Sequence, residues 1–241
     1  MAQQSPYTGK IKIFLDGADK QAMLTAAKDK LIQGFTTNPS LMRKSGVTDY
    51  RSFSKELLAE IKTKPISFEV FADDFNQMKR QALEIAGWGS NVYVKIPVTN
   101  SEGLSCAALI KELSHQNVRL NVTAILTVPQ VAQVCEALKG GAPSIVSVFA
   151  GRVADTGRNP LPLMQSALEV CQAADKNIEL LWASSRELFN VVEADQMGCH
   201  IITVTADIVK KMAMLNKDLT QLSLETVRMF KTDADAAGFQ L

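Results

Sequence analysis

The chain has 241 residues, 46% hydrophobic and 21% charged, with a net charge of +1. That length can bury a sizeable core, so a single domain spanning 1–241 is expected. The near-zero charge gives no bulk-electrostatic reason for a nucleic-acid or membrane partner, and neither is expected. No run approaches transmembrane length, and the opening MAQQSPYTGK has no basic-then-apolar signal pattern, so the expected compartment is the cytoplasm.

In chain order, short β-branched runs alternate with helical patterns. Lys10 to Leu15 reads as the first strand, ending in Asp16-Gly17, and 19–29 as a short helix. Leu31 to Phe35 is a second strand, ending in Thr36-Thr37-Asn38-Pro39, where Asn38 can cap a helix with Pro39 at its first position. Residues 48–62 carry Tyr50, Phe53, Leu57, Leu58 and Ile61 at helical spacing. Pro65 to Val70 is the third strand, followed by a helix over 73–86.

The fourth strand, within 91–99, is the unusual one. Val92, Val94 and Ile96 alternate with Tyr93 and Lys95 just before Pro97, so a lysine lies in a run apolar enough to be buried on both faces. It is either an edge-strand amine reaching water or a desolvated amine able to attack a carbonyl. A helix over 101–115 follows, with Ser101 as its expected cap. Val118 to Thr123 is the fifth strand and 128–138 its helix. Gly140-Gly141 breaks that helix ahead of the sixth strand, Ser144 to Phe149. Helix 160–174, strand Ile178 to Ala183, helix Ser185 to Ala194, strand His200 to Val204 and helix 206–215 complete eight βα units, and a last helix covers about 218–236.

This is the pattern of an α/β (β/α)8 TIM barrel with an extra C-terminal helix; a doubly wound open sheet is the alternative but usually has fewer strands. The four cysteines are widely spaced, which reads as reduced thiols rather than a disulfide frame. Two histidines with no paired spacing disfavour a zinc site, and neither a GxGxxG turn nor a Gly-Lys-Ser/Thr loop occurs. No metal and no cofactor are expected.

In such a barrel, reactive groups lie at the carboxyl ends of the strands. Those ends carry Asp16, Asn38, Glu69, Lys95, Asn121, Thr123, Ser147, Phe149, Arg152, Ser184 and Arg186. Each has a plain structural use. Asp16 suits a turn, Asn38 a cap, and Glu69 a salt bridge to Lys95; Thr123 suits a strand, Phe149 packing, and the arginines surface charge. Together they suit carbon–carbon bond cleavage through a Schiff base. A neutral Lys95 condenses with a ketose carbonyl, and the iminium takes up the electrons of the broken bond. Asp16 is suited to take the proton of the departing hydroxyl, and Glu69 with Thr123 to move protons through water. Asparagines can fix small hydroxyl groups. Arg152 and Arg186, with Ser184 and Ser185 at the start of the seventh helix, can hold a phosphate.

Several stretches resemble one family. Gly34-Phe-Thr-Thr-Asn-Pro-Ser-Leu-Met42 is similar to the Thr-Thr-Asn-Pro-Ser signature of transaldolases, and Val94-Lys-Ile-Pro-Val-Thr99 resembles the family's Schiff-base lysine strand. Asn121-Val-Thr123, Ser147-Val-Phe-Ala-Gly-Arg152 with Asp155, and Ala183-Ser-Ser-Arg186 follow in the family's order. The compact length resembles the small single-barrel branch, which includes fructose-6-phosphate aldolases.

The resemblance implies transfer of a dihydroxyacetone unit from a ketose phosphate, sedoheptulose 7-phosphate or fructose 6-phosphate, to an aldose phosphate. It implies Lys95 as Schiff-base residue, Asp16 as acid/base, Glu69 and Thr123 on the catalytic water, Asn38, Asn121 and Ser147 on the three-carbon fragment, and Arg152, Ser184 and Arg186 on the phosphate. The aldolases carry Gln and Tyr where this chain has Glu69 and Phe149, which favours transaldolase over the aldolase alternative. Gly17, Val148 and Thr205 depart from the family's usual Ser/Thr and prolines, and the tail lacks the tryptophan expected in the terminal helix. A relative acting on a modified sugar, sulfonate included, and a non-catalytic sugar-phosphate-binding barrel stay open as alternatives. Sugar-phosphate substrates are the expected partners. Assembly as a homo-oligomer through outer helices is also expected, although no decisive apolar stripe stands out.

Overall fold

Every strand of the computed structural model pairs in parallel with the next one in sequence, and the eighth pairs back onto the first, so the sheet closes into a barrel. The structure describes residues 7–238 and Gln240; the first six residues, read above for a leader, lie outside these. The strands are β1 (Lys12–Asp16), β2 (Ile32–Thr36), β3 (Ile66–Glu69), β4 (Val92–Pro97), β5 (Leu120–Ile125), β6 (Ser144–Val148), β7 (Ile178–Trp182) and β8 (Ile201–Val204). Around them run α1 (Lys20–Ala27), α2 (Pro39–Lys44), α3 (Tyr50–Glu60), α4 (Phe75–Ala86), α5 (Ala107–His115), α6 (Val128–Leu138), α7 (Ala150–Ala154), α8 (Leu161–Ala174), α9 (Phe189–Gln196) and α10 (Ala206–Lys211). A 3-10 turn, Met212–Met214, leads to the C-terminal α11 (Leu219–Ala237). The (β/α)8 barrel and the extra helix expected from the sequence are both present.

The period-2 alternation of the strands sorts side chains into two cores. The larger core lies between barrel and helices and holds residues such as Ile13, Phe68, Val94, Val122 and Trp182. The smaller one is built by Phe14, Ile145, Leu181, Ala183 and Ile201, with Tyr93 and Phe149 packed against it, and fills the lumen. Phe14 fits there because β2 offers Gly34 beside it: a Cβ on Gly34 would lie 2.6 Å from the phenyl ring. Above this apolar floor, the lumen-facing residue nearest each carboxyl end is polar on most strands. That placement is what creates a site.

Helix starts account for the main departures from the sequence reading. Asn38, Asp49, Asp74 and Thr127 cap α2, α3, α4 and α6 through their side chains. Ser101 caps nothing. The Asn100 side chain accepts from the backbone N–H groups of Glu102 and Leu104, Gly103 takes φ +81°, and Thr99 bridges Ser105. This local turn competes with helix, so α5 begins six residues later than expected. Ser101 instead ties two loops together, its N–H and hydroxyl both donating to Asp73. After β7 the expected helix at Ser185 is also delayed, to Phe189. The short α7 after β6 was not anticipated.

Candidate active site

Lys95 projects from β4 into the mouth of the lumen and is only 6% exposed. Its register partners are Glu69 on β3 and Asn121 on β5. The Nζ donates to the Thr37 carbonyl at 3.0 Å and lies 3.2 Å from Glu69 Oε2. Behind Glu69, Tyr50 donates to its backbone carbonyl at 2.9 Å and packs edge-on against Phe68 and Phe71, which fixes this end of β3. The edge-strand reading of Lys95 is therefore wrong: the amine is enclosed.

Asp16, at the end of β1, faces the same space. Burial pushes its carboxyl above the ordinary carboxylate range, against the opposing pull of the Lys95 charge and the Thr36 hydroxyl. Thr36 Oγ1 donates to Asp16 Oδ1 at 2.7 Å and lies 2.6 Å from Thr203 Oγ1. Two carboxylates thus flank one amine from different strands, in different surroundings. This is the arrangement in which acid and base roles separate.

On the other side, Ser147 donates to Asn121 Oδ1 at 2.6 Å and Asn121 Nδ2 donates to Ser67 Oγ at 2.9 Å, so both ends of the amide are held. Thr123, two residues on along β5, buries its hydroxyl with no hydrogen-bond partner among the described residues. Such a group is open to a water or a substrate oxygen. Asn38 accepts from Leu41 N at 2.9 Å as the cap of α2, leaving its NH2 end for other partners.

The cationic side chains form a rim. Arg152 lies over the Phe149 ring, 5.5 Å from its centroid. Arg186 makes a two-point contact with Asp155: Nε donates to Oδ1 at 3.1 Å and Nη2 donates to Oδ2. It is not a free cation, and the pairing keeps its fork in one orientation. Ser184 sits in the left-handed region at φ +60°, outside any helix, while Ser185 donates to the Thr203 carbonyl. The helix start expected at Ser184 and Ser185 is thus absent, and no helix dipole adds to the donors of Ser184. α7 packs tightly on the segment that follows β7: the Gly151 N–H donates to the Ala183 carbonyl, and a Cβ on Gly151 would fall 1.6 Å from the Ser184 carbonyl oxygen.

The structure brings Asp16, Glu69, Lys95, Asn121, Thr123 and Ser147 into the barrel mouth. Phe149, Arg152, Ser184 and Arg186 stand at its β6–β7 side. Sequence reasoning missed Ser67 and Thr203, and gave Thr36 no role. Their signal was weak: each is a lumen-facing hydroxyl on a strand, and Ser and Thr at such positions read as ordinary strand residues. Among the described residues, no group of three or more His, Cys, Asp or Glu side chains is placed to hold a metal ion.

Fold and site together define a (β/α)8 barrel with a lysine-centred cluster of polar side chains at the carboxyl end of its strands. The family model described as Transaldolase/Fructose-6-phosphate aldolase matches residues 13–241. A probable transaldolase of Dehalococcoides mccartyi is 35% identical over 202 residues, 84% of this chain and 90% of that protein. A probable transaldolase of a Thermoanaerobacter species is 35% identical over 231 residues, covering 96% of this chain and all of that protein. One from Methanococcus vannielii is 34% identical over 226 residues, 94% and 98% of the two chains. The chain belongs to the transaldolase/fructose-6-phosphate aldolase family.

Proposed function

We propose that the protein is a transaldolase that moves a dihydroxyacetone unit from a ketose phosphate to an aldose phosphate through a Schiff base on Lys95. The observation that carries this reading is the enclosed Lys95 amine, 3.2 Å from Glu69 and within the electrostatic reach of Asp16. The amine passes a proton to Glu69 and attacks the ketose C2 carbonyl. Loss of water, with Glu69 and the Thr123 hydroxyl handling the protons, gives the iminium. Asp16 takes the C4 hydroxyl proton, the C3–C4 bond breaks, and its electron pair enters the iminium as an enamine. Asn38, Asn121 and Ser147 hold the hydroxyls of the retained fragment. The first aldose phosphate leaves. The enamine attacks the incoming aldehyde, Asp16 returns the proton, and water releases the new ketose. Arg152, Ser184 and Arg186 hold the phosphate while Phe149 walls the pocket.

The test uses fructose 6-phosphate with and without erythrose 4-phosphate. We expect glyceraldehyde 3-phosphate to form at least about tenfold faster with the acceptor, as sedoheptulose 7-phosphate accumulates. Equal rates with release of free dihydroxyacetone would make the protein an aldolase.

The four buried free thiols suit a reducing compartment, and we place the enzyme in the cytoplasm. No helix among the described residues is long and apolar enough to cross a membrane. We also propose a homo-oligomer joined through α11. No residue of α11 is buried, and Leu219, Val227 and Phe230 are 77%, 60% and 62% exposed at spacings that share one face. Ser223 and Thr226, on the same face, hid this stripe in the sequence. Val227→Asp with Phe230→Asp is expected to shift the mass in light scattering to the monomer, with cooperative unfolding kept. An unchanged mass would remove α11 as the contact.

A further inference from the structure

We propose that Thr203 is a positioning residue for Asp16, acting through the Thr36 hydroxyl. The inference rests on the reading of Asp16 as the acid/base of the cleaved bond. Thr36 Oγ1 lies 2.7 Å from Asp16 Oδ1 and 2.6 Å from Thr203 Oγ1. A hydroxyl has one proton to give. An ionised carboxylate can only accept, so the Thr36 proton goes to Asp16 and the Thr203 proton must go to Thr36. The order of the chain is therefore fixed: Thr203 to Thr36 to Asp16. The two threonines flank β1 from either side, Thr36 opposite Asp16 on β2 and Thr203 opposite Phe14 on β8. Both are buried, at 3% and 5% exposure, and Ser185 pins the Thr203 backbone by donating to its carbonyl at 2.9 Å.

This chain has a chemical consequence. Charge faces Asp16 from Lys95 on β4, and Glu69 on β3 is paired to that lysine. The strands adjoining β1 contribute hydroxyls instead, through Thr36 and Thr203. A donor that is itself the recipient of a hydrogen bond is the stronger donor, because the two bonds polarise one another. Thr203 thereby favours the ionised form of Asp16 without touching it. Thr36, held in place by Thr203, keeps Oδ1 occupied, so that Oδ2 is the atom presented to the substrate hydroxyl.

The experiment is the pH dependence of kcat/KM for transfer from fructose 6-phosphate to erythrose 4-phosphate. Thr203→Val keeps the shape and removes the donor. Its acidic limb is expected to move to higher pH by about half a unit to one unit, the scale of one lost hydrogen bond. Thr203→Ser is expected to restore the wild-type limb. Thr36→Val is expected to move it further in the same direction, and the double valine variant no further than Thr36→Val alone. Thermal unfolding of each variant identifies any loss due to folding, and Thr203→Ala, which also removes the donor, provides the readout if the valine variant does not fold. An unmoved limb in Thr203→Val, a serine variant as shifted as the valine, or additive shifts in the double variant would overturn the proposal. Asp16→Asn separates the two levels. Full turnover in that variant overturns the acid/base reading and Thr203 with it. Loss of turnover alongside an unmoved Thr203→Val limb overturns Thr203 alone.

Discussion

Replacing Lys95 with arginine or methionine is expected to lower kcat by about 10⁴-fold or more, the scale seen when a covalent nucleophile is removed. Arginine keeps the positive charge beside Glu69 and Asp16 but does not deprotonate, so it cannot attack a carbonyl. Methionine keeps most of the volume and loses both charge and nucleophile. If Lys95 served only to pair with Glu69, arginine would be the tolerated substitution and methionine the damaging one. If it forms the Schiff base, both are inactive, and arginine is merely the better folded. Incubation with fructose 6-phosphate followed by borohydride reduction gives the covalent readout. The wild-type peptide carrying Lys95 should gain the mass of the reduced adduct, and neither variant should be labelled. Full turnover by Lys95→Arg, or labelling at another lysine, would end the Schiff-base reading.

The sequence made Lys95 legible because a charged residue inside an otherwise apolar, β-branched run conflicts with its surroundings, and such conflicts mark function. Strand positions were legible for the same reason of pattern: all eight lie within two residues of the expected bounds. What stayed hidden depends on contacts between elements. The delay of α5 arises from one asparagine side chain competing for backbone N–H groups and from a Ser101–Asp73 tie between loops. Neither leaves a periodic trace. Arg186 reads as a lone cation until Asp155, 31 residues earlier, is seen to hold it. Thr203 and Thr36 meet only because the barrel closes, which places the eighth strand beside the first. A single chain read in order assigns each side chain to a face, but it does not say which of the lumen-facing hydroxyls touch. The apolar face of α11 was obscured for a different reason: its polar interruptions are small, and they leave the larger apolar side chains in line.

Asp16→Asn is expected to act in opposite directions on rate and on stability. Removal of the acid/base should lower kcat by about 10²–10⁴-fold. For stability the sign follows from the direction of the shift. Burial raises the folded-state value of Asp16 above the ordinary 3.8, so the native protein holds the proton more tightly than the unfolded chain does. The resulting stabilisation is fully present below the unfolded value and is lost as pH rises through the folded one. At neutral pH the native state therefore carries the cost of a desolvated carboxylate, which the Lys95 charge and the Thr36 hydroxyl offset only in part. Asparagine accepts from Thr36 in the same place and carries no charge. Asp16→Asn should then melt above wild type at pH 7, by roughly 2–4 °C if the relief is ~1 kcal/mol in a domain of this size. The gap should close as pH falls through the raised folded-state value, where the wild-type carboxyl takes up its proton within the fold. Calorimetry at pH 7, 5.5 and 4 checks both statements. A variant less stable than wild type at pH 7 would mean that the attraction to Lys95 outweighs the burial of Asp16, and that the residue belongs to a structural ion pair. A variant that is slower and more stable would mean that a charged acid/base is kept in the barrel mouth for catalysis at the expense of the fold.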